Sequence, residues 1–401
     1  MKNGGNGIKM RLMFMMFLQL AVLGCYIISL GGFLALKGLA PRIGTFYAMG
    51  GIAALLMPAL VGSVADRFIP AQRLLGLMHL LLAMVLTLFA FHCKSQLGQV
   101  PMVRSVLLFL LVQMLYIPTL PLSISICFSA LNRGGLDRER HYPVIRMMGT
   151  LGFVVTMVLV DYMGLTGGEG QFLMAAACSF VLFLLSFALP DCPPSRTRQR
   201  GSLSMMVTLF RNRKVAVFLL LMLAMGMLLK ASESYINPFL TARQLPHPNV
   251  LMSLSRISEA VLMMSLPVLL HRLGFRKTFI LAAAGWCVHF AALGLGSLFG
   301  GTSLFILSML VYGLAYNCSI TTGAMYVDSQ VDASLRATAQ GLLTTFQNGF
   351  AVLIGSMAAQ SLFNAFVYQA ETPDWLTPWF LLAGFAILVG LAFALFFDRK
   401  R

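Results

Sequence analysis

The sequence predicts an all-α integral membrane protein, with twelve transmembrane helices in two six-helix, pseudo-symmetric halves. Three observations carry that prediction. Of the 401 residues, 59% are hydrophobic and only 10% are charged, where a soluble domain carries roughly 25% charged residues. A chain this long with so few charges cannot cover itself with a solvated surface, so lipid is its natural solvent. The apolar residues fall into twelve runs, each near the roughly 20 residues that cross a 30 Å hydrocarbon core at 1.5 Å per residue. The cations, finally, are sorted between alternate loops.

The runs lie at 12–36, 44–65, 72–92, 103–130, 143–164, 171–189, 214–241, 249–271, 276–297, 302–326, 336–365 and 376–397. The first is too long for a cleaved signal peptide and reads as a retained span. After the sixth comes DCPPSRTRQRGSLSMM, the one long polar interruption. It reads as a basic cytoplasmic linker, 191–213, between an N-terminal half, 1–190, and a C-terminal half, 214–401. Its arginines also suit anionic lipid. With the N-terminus in the cytoplasm, 21 of the 29 Lys and Arg fall in cytoplasmic segments and five fall outside. That bias predicts both termini inside. It also accounts for the net charge of +16 without a nucleic-acid partner.

Several function classes drop out. The seven cysteines sit mostly inside the runs, form no C-x-x-C and are odd in number, so they read as small apolar residues. No G-x-x-x-x-G-K-[ST] occurs, which argues against primary pumping on a nucleotide. No intramembrane metal cluster or nucleophile–base pair is visible, so neither an enzyme nor a cofactor is expected.

Three cations remain inside the runs: Arg146, Lys230 and Arg256. Glu233 and Glu259 join them. Each costs about 2.5–3.5 kcal/mol at the middle of a membrane helix, so all five are expected to face the protein interior and to pair. KASE places Lys230 three residues before Glu233, and RISE places Arg256 three before Glu259. Residues three apart share a helix face, so two consecutive helices each present a cation and an acid. One reading is a pair of buried salt bridges fixing helix register. The other, favoured by two parallel pairs together with Arg146, is a polar cavity. Gln19, Tyr116, Thr119, Ser232, Asn237, Tyr312, Asn317, Gln347 and Asn348, taken singly, read as interhelical hydrogen bonds or kinks. His79 and His289 read first as buried packing residues.

The loop after the second run, GSVADRFIPAQR, carries Gly62, Asp66, Arg67 and Arg73 in the pattern of major facilitator transporters. An acid at a helix end flanked by cations can latch two halves on the cytoplasmic side. A narrower resemblance runs nearly end to end. MPALVGSVAD, IRMMGTLGF, LSRISEA, LRATAQGL with QNGF, and DWLTPW resemble the bacterial nucleoside:proton symporter family. The resemblance implies a monomeric, multi-pass protein of the bacterial inner membrane that imports nucleosides with protons, by alternating access of two halves around a central substrate. It implies substrate contacts at Arg146, Thr150 and Phe153 on the fifth span, Glu259 on the eighth, and Tyr312 on the tenth; Gln19, a polar residue inside the first span, is expected as a further contact on its own account. The resemblance also marks departures. Amide positions of the family fall on Lys230 and Glu233, a glutamine on Arg256, an aspartate on Asn317 and its aromatic neighbour on Tyr316. Neutral groups have become charges, so another small polar solute, such as a sugar or an anionic or zwitterionic compound, also suits the site. Glu259 is the first choice for proton coupling and Glu233 the second.

Overall fold

The computed structural model describes residues 2–94, 101–194, 213–331 and 336–397. Most of the predicted linker, residues 195–212, and the cations at 399–401 lie outside them. The described residues hold ten helices long and apolar enough to cross a membrane, plus a shorter apolar helix, Gly170–Ser186. The predicted eighth run, 249–271, is helical but kinked: regular helix ends at Met263, Met264 and Ser265 keep right-handed helical angles, and helix resumes at Leu266 with Pro267 in its first turn, while Gly274 (φ 69°) breaks the helical backbone within Leu266–Phe299. Proline has no N–H to give and fits a first turn best.

In chain order the elements are α1 (Lys2–Gly24), α2 (Leu30–Leu36), α3 (Ile43–Arg67), α4 (Ala71–Lys94), α5 (Met102–Tyr116), α6 (Thr119–Arg133), α7 (Arg138–Tyr162), α8 (Gly170–Ser186), α9 (Arg213–Ala242), α10 (Pro248–Met263), α11 (Leu266–Phe299) and α12 (Thr302–Tyr316). They continue with α13 (Thr322–Gln330), α14 (Arg336–Thr344), α15 (Ala351–Phe363) and α16 (Leu376–Phe396). Single π-helical turns follow α12 at Asn317–Thr321 and α14 at Thr345–Phe350. Such turns shift the faces of a helix against one another and recur at functional sites.

The chain packs as two compact units. The first is Met1–Ala40 with Ile52–Arg198, and the second is Pro41–Gly51 with Gln199–Arg401. In the first, α1 and α7 approach until backbones touch. A side chain at Gly24 would strike Phe153 O, and one at Gly152 would strike Phe17 O. Small residues at a contact let membrane helices pack closely where lipid supplies no hydrophobic drive. The core below them joins Met15, Met16, Met78, Ile126 and Ile145. In the second unit, α9, α15 and α16 share an aromatic cluster. Phe239 meets Trp379 edge-on at 5.5 Å, and Phe363 meets Trp379 at 4.9 Å.

Candidate functional site

The charges of the second unit form one chain of ion pairs. Lys230 and Glu233 project from one face of α9, and Lys230 Nζ donates to Glu233 Oε2 at 2.5 Å. Arg256 on α10 reaches both helices. Its Nη2 donates to Glu233 Oε1 at 2.9 Å, and its Nη1 donates to Glu259 Oε2 at 3.0 Å. The same Nη1 lies 3.1 Å from the Tyr312 hydroxyl, which accepts from it. The guanidinium also stands over the Tyr312 ring, 5.4 Å from its centre, a cation–π contact. The order Lys230–Glu233–Arg256–Glu259 alternates in sign and sums to zero charge.

Removing Glu233 would leave Lys230 without its ion partner and removing Arg256 would leave Glu259 without its own, a loss of several kcal/mol. Yet the chain is not sealed: the side chains of Lys230, Glu233, Arg256 and Glu259 remain 20%, 18%, 16% and 27% exposed. A register-fixing salt bridge has no need of that opening.

Local packing holds α10 and α12 at the right height. Gly313 on α12 lies against Ser258 and the Glu259 backbone, where any larger residue would collide. The Ser258 hydroxyl donates to Leu310 O. Asn317 Nδ2 donates to Glu259 O at 2.8 Å and to Gly313 O at 3.0 Å. Asn317 is thus buried and clamps the backbone that carries Glu259. Tyr316 stacks on Tyr312 with ring centres 6.0 Å apart.

In the first unit, Arg146 and Thr150 are exposed one turn apart on α7, with Phe153 half-buried beyond them. Arg146 makes no hydrogen bond or ion pair among the described residues. The expectation that all five intramembrane charges pair therefore holds for four and fails for Arg146. The cause is geometric: it lies on the exposed side of α7, and Gly149 and Gly152 are what face α1. Gln19 is wholly buried. Its Nε2 donates to Thr119 Oγ1 at 2.7 Å, and its Oε1 accepts from Ser123 Oγ and from His79 Nε2, both at 3.0 Å. Asp66 and Arg67 end α3, and Arg73 lies in the first turn of α4; all three are exposed, while Gly62 is half-buried. Asp66 forms no ion pair among the described residues.

Two features escaped sequence reading. One is the bridge from Arg256 to Glu233 between helices, which no i,i+3 spacing encodes. The other is the π-helical turn that Asn317 opens.

Membrane-crossing helices and a partly open chain of ions fit a multi-pass transporter. Residues 6–401 match the family described as Nucleoside H+ symporter, and the chain belongs to that family. Nucleoside permease NupG of Escherichia coli (strain K12) is 30% identical over 412 residues, 98% of this chain and 96% of that protein. Xanthosine permease of the same organism is 31% identical over 411 residues, with the same two coverages. The crystal structure of nucleoside transporter NupG aligns with a TM-score of 0.88 at 29% identity, covering 98% of this chain and 100% of that one.

Proposed function

We propose that this protein imports nucleosides together with protons by alternating access, as a monomer of twelve spans in two six-helix halves, in a bacterial inner membrane with both termini cytoplasmic. The observation that carries the reading is the ion chain: four charges, alternating in sign and partly open, on three helices of an apolar unit. Lys230, Glu233, Arg256, Glu259, Tyr312 and Tyr316 of the second unit are substrate-binding residues in this reading, and so are Arg146, Thr150 and Phe153 of the first. Phe153 offers a face for a base to stack on, while Arg146 and Thr150 supply hydrogen bonds to hydroxyls or base edges. Asn317 holds the backbone that carries Glu259, whereas the side chain of Gln19, expected as a substrate contact, is buried among Thr119, Ser123 and His79. Gly62, Asp66, Arg67 and Arg73 form the cytoplasmic latch.

Glu259 is the proton carrier. It has one ion partner where Glu233 has two, and it is the more exposed of the pair. Protonating Glu259 breaks one ion pair; protonating Glu233 breaks two. A substrate that engages Arg256 competes with Glu259 for the guanidinium and leaves its carboxylate free to take a proton. One inward proton gains about 2.3 kcal/mol per 100 mV of membrane potential, and each pH unit adds roughly 1.4 kcal/mol. Together these sustain accumulation of a neutral nucleoside on the order of several hundredfold.

The test is uptake of labelled uridine and xanthosine into proteoliposomes with and without a pH gradient. Glu259→Gln is expected to lose gradient-driven accumulation while keeping nucleoside exchange. Full accumulation by that variant would remove Glu259 from the coupling role.

A further inference from the structure

His289, wholly buried in α11, has no part in the transport reading above. Its neighbours settle how it is protonated. Nδ1 lies 2.9 Å from Ser308 O, a carbonyl oxygen that can only accept. Nδ1 therefore carries the proton and Nε2 accepts. The donor to Nε2 is the Ser232 hydroxyl, 3.0 Å away. The Ser308 hydroxyl lies 2.8 Å from Nδ1 and gives its own proton to His289 O at 3.0 Å, so it accepts at Nδ1 as the carbonyl does. A second face of the imidazole meets the Tyr312 ring at 5.7 Å between centres, and Trp286 closes its edge at 5.5 Å.

Both contacts lead to the ion chain. Ser232 directly precedes Glu233 on α9, and Tyr312 accepts from Arg256 and lies beneath its guanidinium. One imidazole thus braces a support on either side of Arg256. A serine within a helix commonly returns its hydroxyl to the carbonyl one turn back; here Ser232 gives it across to α11.

We propose that His289 is the positioning residue of the ion chain, setting through Ser232 and Tyr312 the height at which Glu233 and Tyr312 meet Arg256. This rests on the reading that the chain's ligand is a nucleoside. An imidazole that only filled space would be replaceable by phenylalanine. A positioning imidazole needs its acceptor for Ser232, which glutamine reproduces and phenylalanine does not.

The experiment measures equilibrium binding and saturating transport of uridine and xanthosine by the full-length protein. His289→Phe and Ser232→Ala are expected to weaken binding about tenfold, which is what the loss of one positioned hydrogen bond in a coupled network produces. Maximal rate is expected to stay within about twofold, and His289→Gln to recover most of the affinity. Affinity unchanged in both variants, rate and affinity falling together, or no recovery by glutamine would each overturn the proposal. Should His289→Phe fail to fold, Ser232→Ala decides alone. If the wild type binds neither nucleoside, the substrate reading fails by itself. The positioning role is then judged from thermal unfolding of Ser232→Ala, Arg256→Gln and the double variant. Midpoint shifts non-additive by more than about 2 °C support it, and additive shifts overturn it.

Discussion

His79 in the first unit lies 3.0 Å, through Nε2, from the Gln19 carbonyl oxygen, an acceptor, so His79 donates there. His289 in the second unit accepts at the same ring position, from Ser232. Around His79 every polar partner is neutral. Gln19 joins Thr119 and Ser123, Tyr116 donates to Gln19 O at 2.9 Å, and Ser179 lies 2.9 Å from Nδ1. All of them are buried. Around His289 the partners lead to four charges that remain partly exposed. Neutral groups can be sealed in once each has its hydrogen bond. Full charges cannot be sealed at similar cost, because ion pairing recovers their lost hydration only in part. The first network holds its unit together, and the second keeps an opening where water or a ligand can complete its hydration.

The largest effect that separates the two networks is expected from Arg256→Ala. It leaves Glu259 without an ion partner and Glu233 with Lys230 alone. Stability should fall by about 3–5 kcal/mol and nucleoside uptake should be lost. An unchanged thermal midpoint would mean that water already hydrates those carboxylates, and the contrast between sealed and open networks would go.

A smaller effect is expected from Ser179→Ala, which takes one partner from the buried His79. About 1–3 kcal/mol of stability should be lost, with nucleoside affinity within about twofold of the wild type. A tenfold loss of affinity would place the neutral network inside the binding site.

The smallest concerns acid sensitivity away from either network. Asp374 precedes α16 and its Oδ1 accepts from the backbone N of Leu376 at 2.8 Å and of Thr377 at 3.3 Å. The Thr377 side chain first, and these N–H groups after it, hold the Asp374 carboxyl below its ordinary value. A carboxyl depressed in the folded state stabilises fully above its unfolded value, near pH 4. That contribution drains away as pH falls through the lower folded value. Asp374→Ala should remove about 1 kcal/mol at neutral pH and less at pH 3, read from thermal midpoints. An equal loss at both pH values would show that the charge on Asp374 contributes nothing.

Much of the site was legible before any coordinates. Lys230 with Glu233 and Arg256 with Glu259 were expected on shared helix faces from their spacing, and both pairs form at 2.5 and 3.0 Å. Local periodicity is enough for that, because residues three apart meet whatever else the chain does. The Glu233–Arg256 bridge and the Tyr312 contact were not legible. They depend on how α9, α10 and α12 cross, and that is set by Gly313 and Asn317, neither of which looks unusual in sequence. Arg146 was misjudged because the need for a partner was argued from helix content alone. Which side of α7 is exposed depends on glycines that turn toward α1.

The sequence by itself determined that this chain is a helical membrane protein and which residues within its apolar runs carry charge. Hydrophobic runs and charge counts are one-dimensional quantities, and the bilayer reads them directly. Only the tertiary structure decided that four of those charges join into one neutral chain, that Arg146 stays outside it, and that the two buried histidines take opposite hydrogen-bonding roles. Each of those outcomes turns on which atoms of separate helices come within 3 Å of one another. Close contact of that kind is fixed by where backbones can touch, and it has no counterpart in the spacing of residues along the chain.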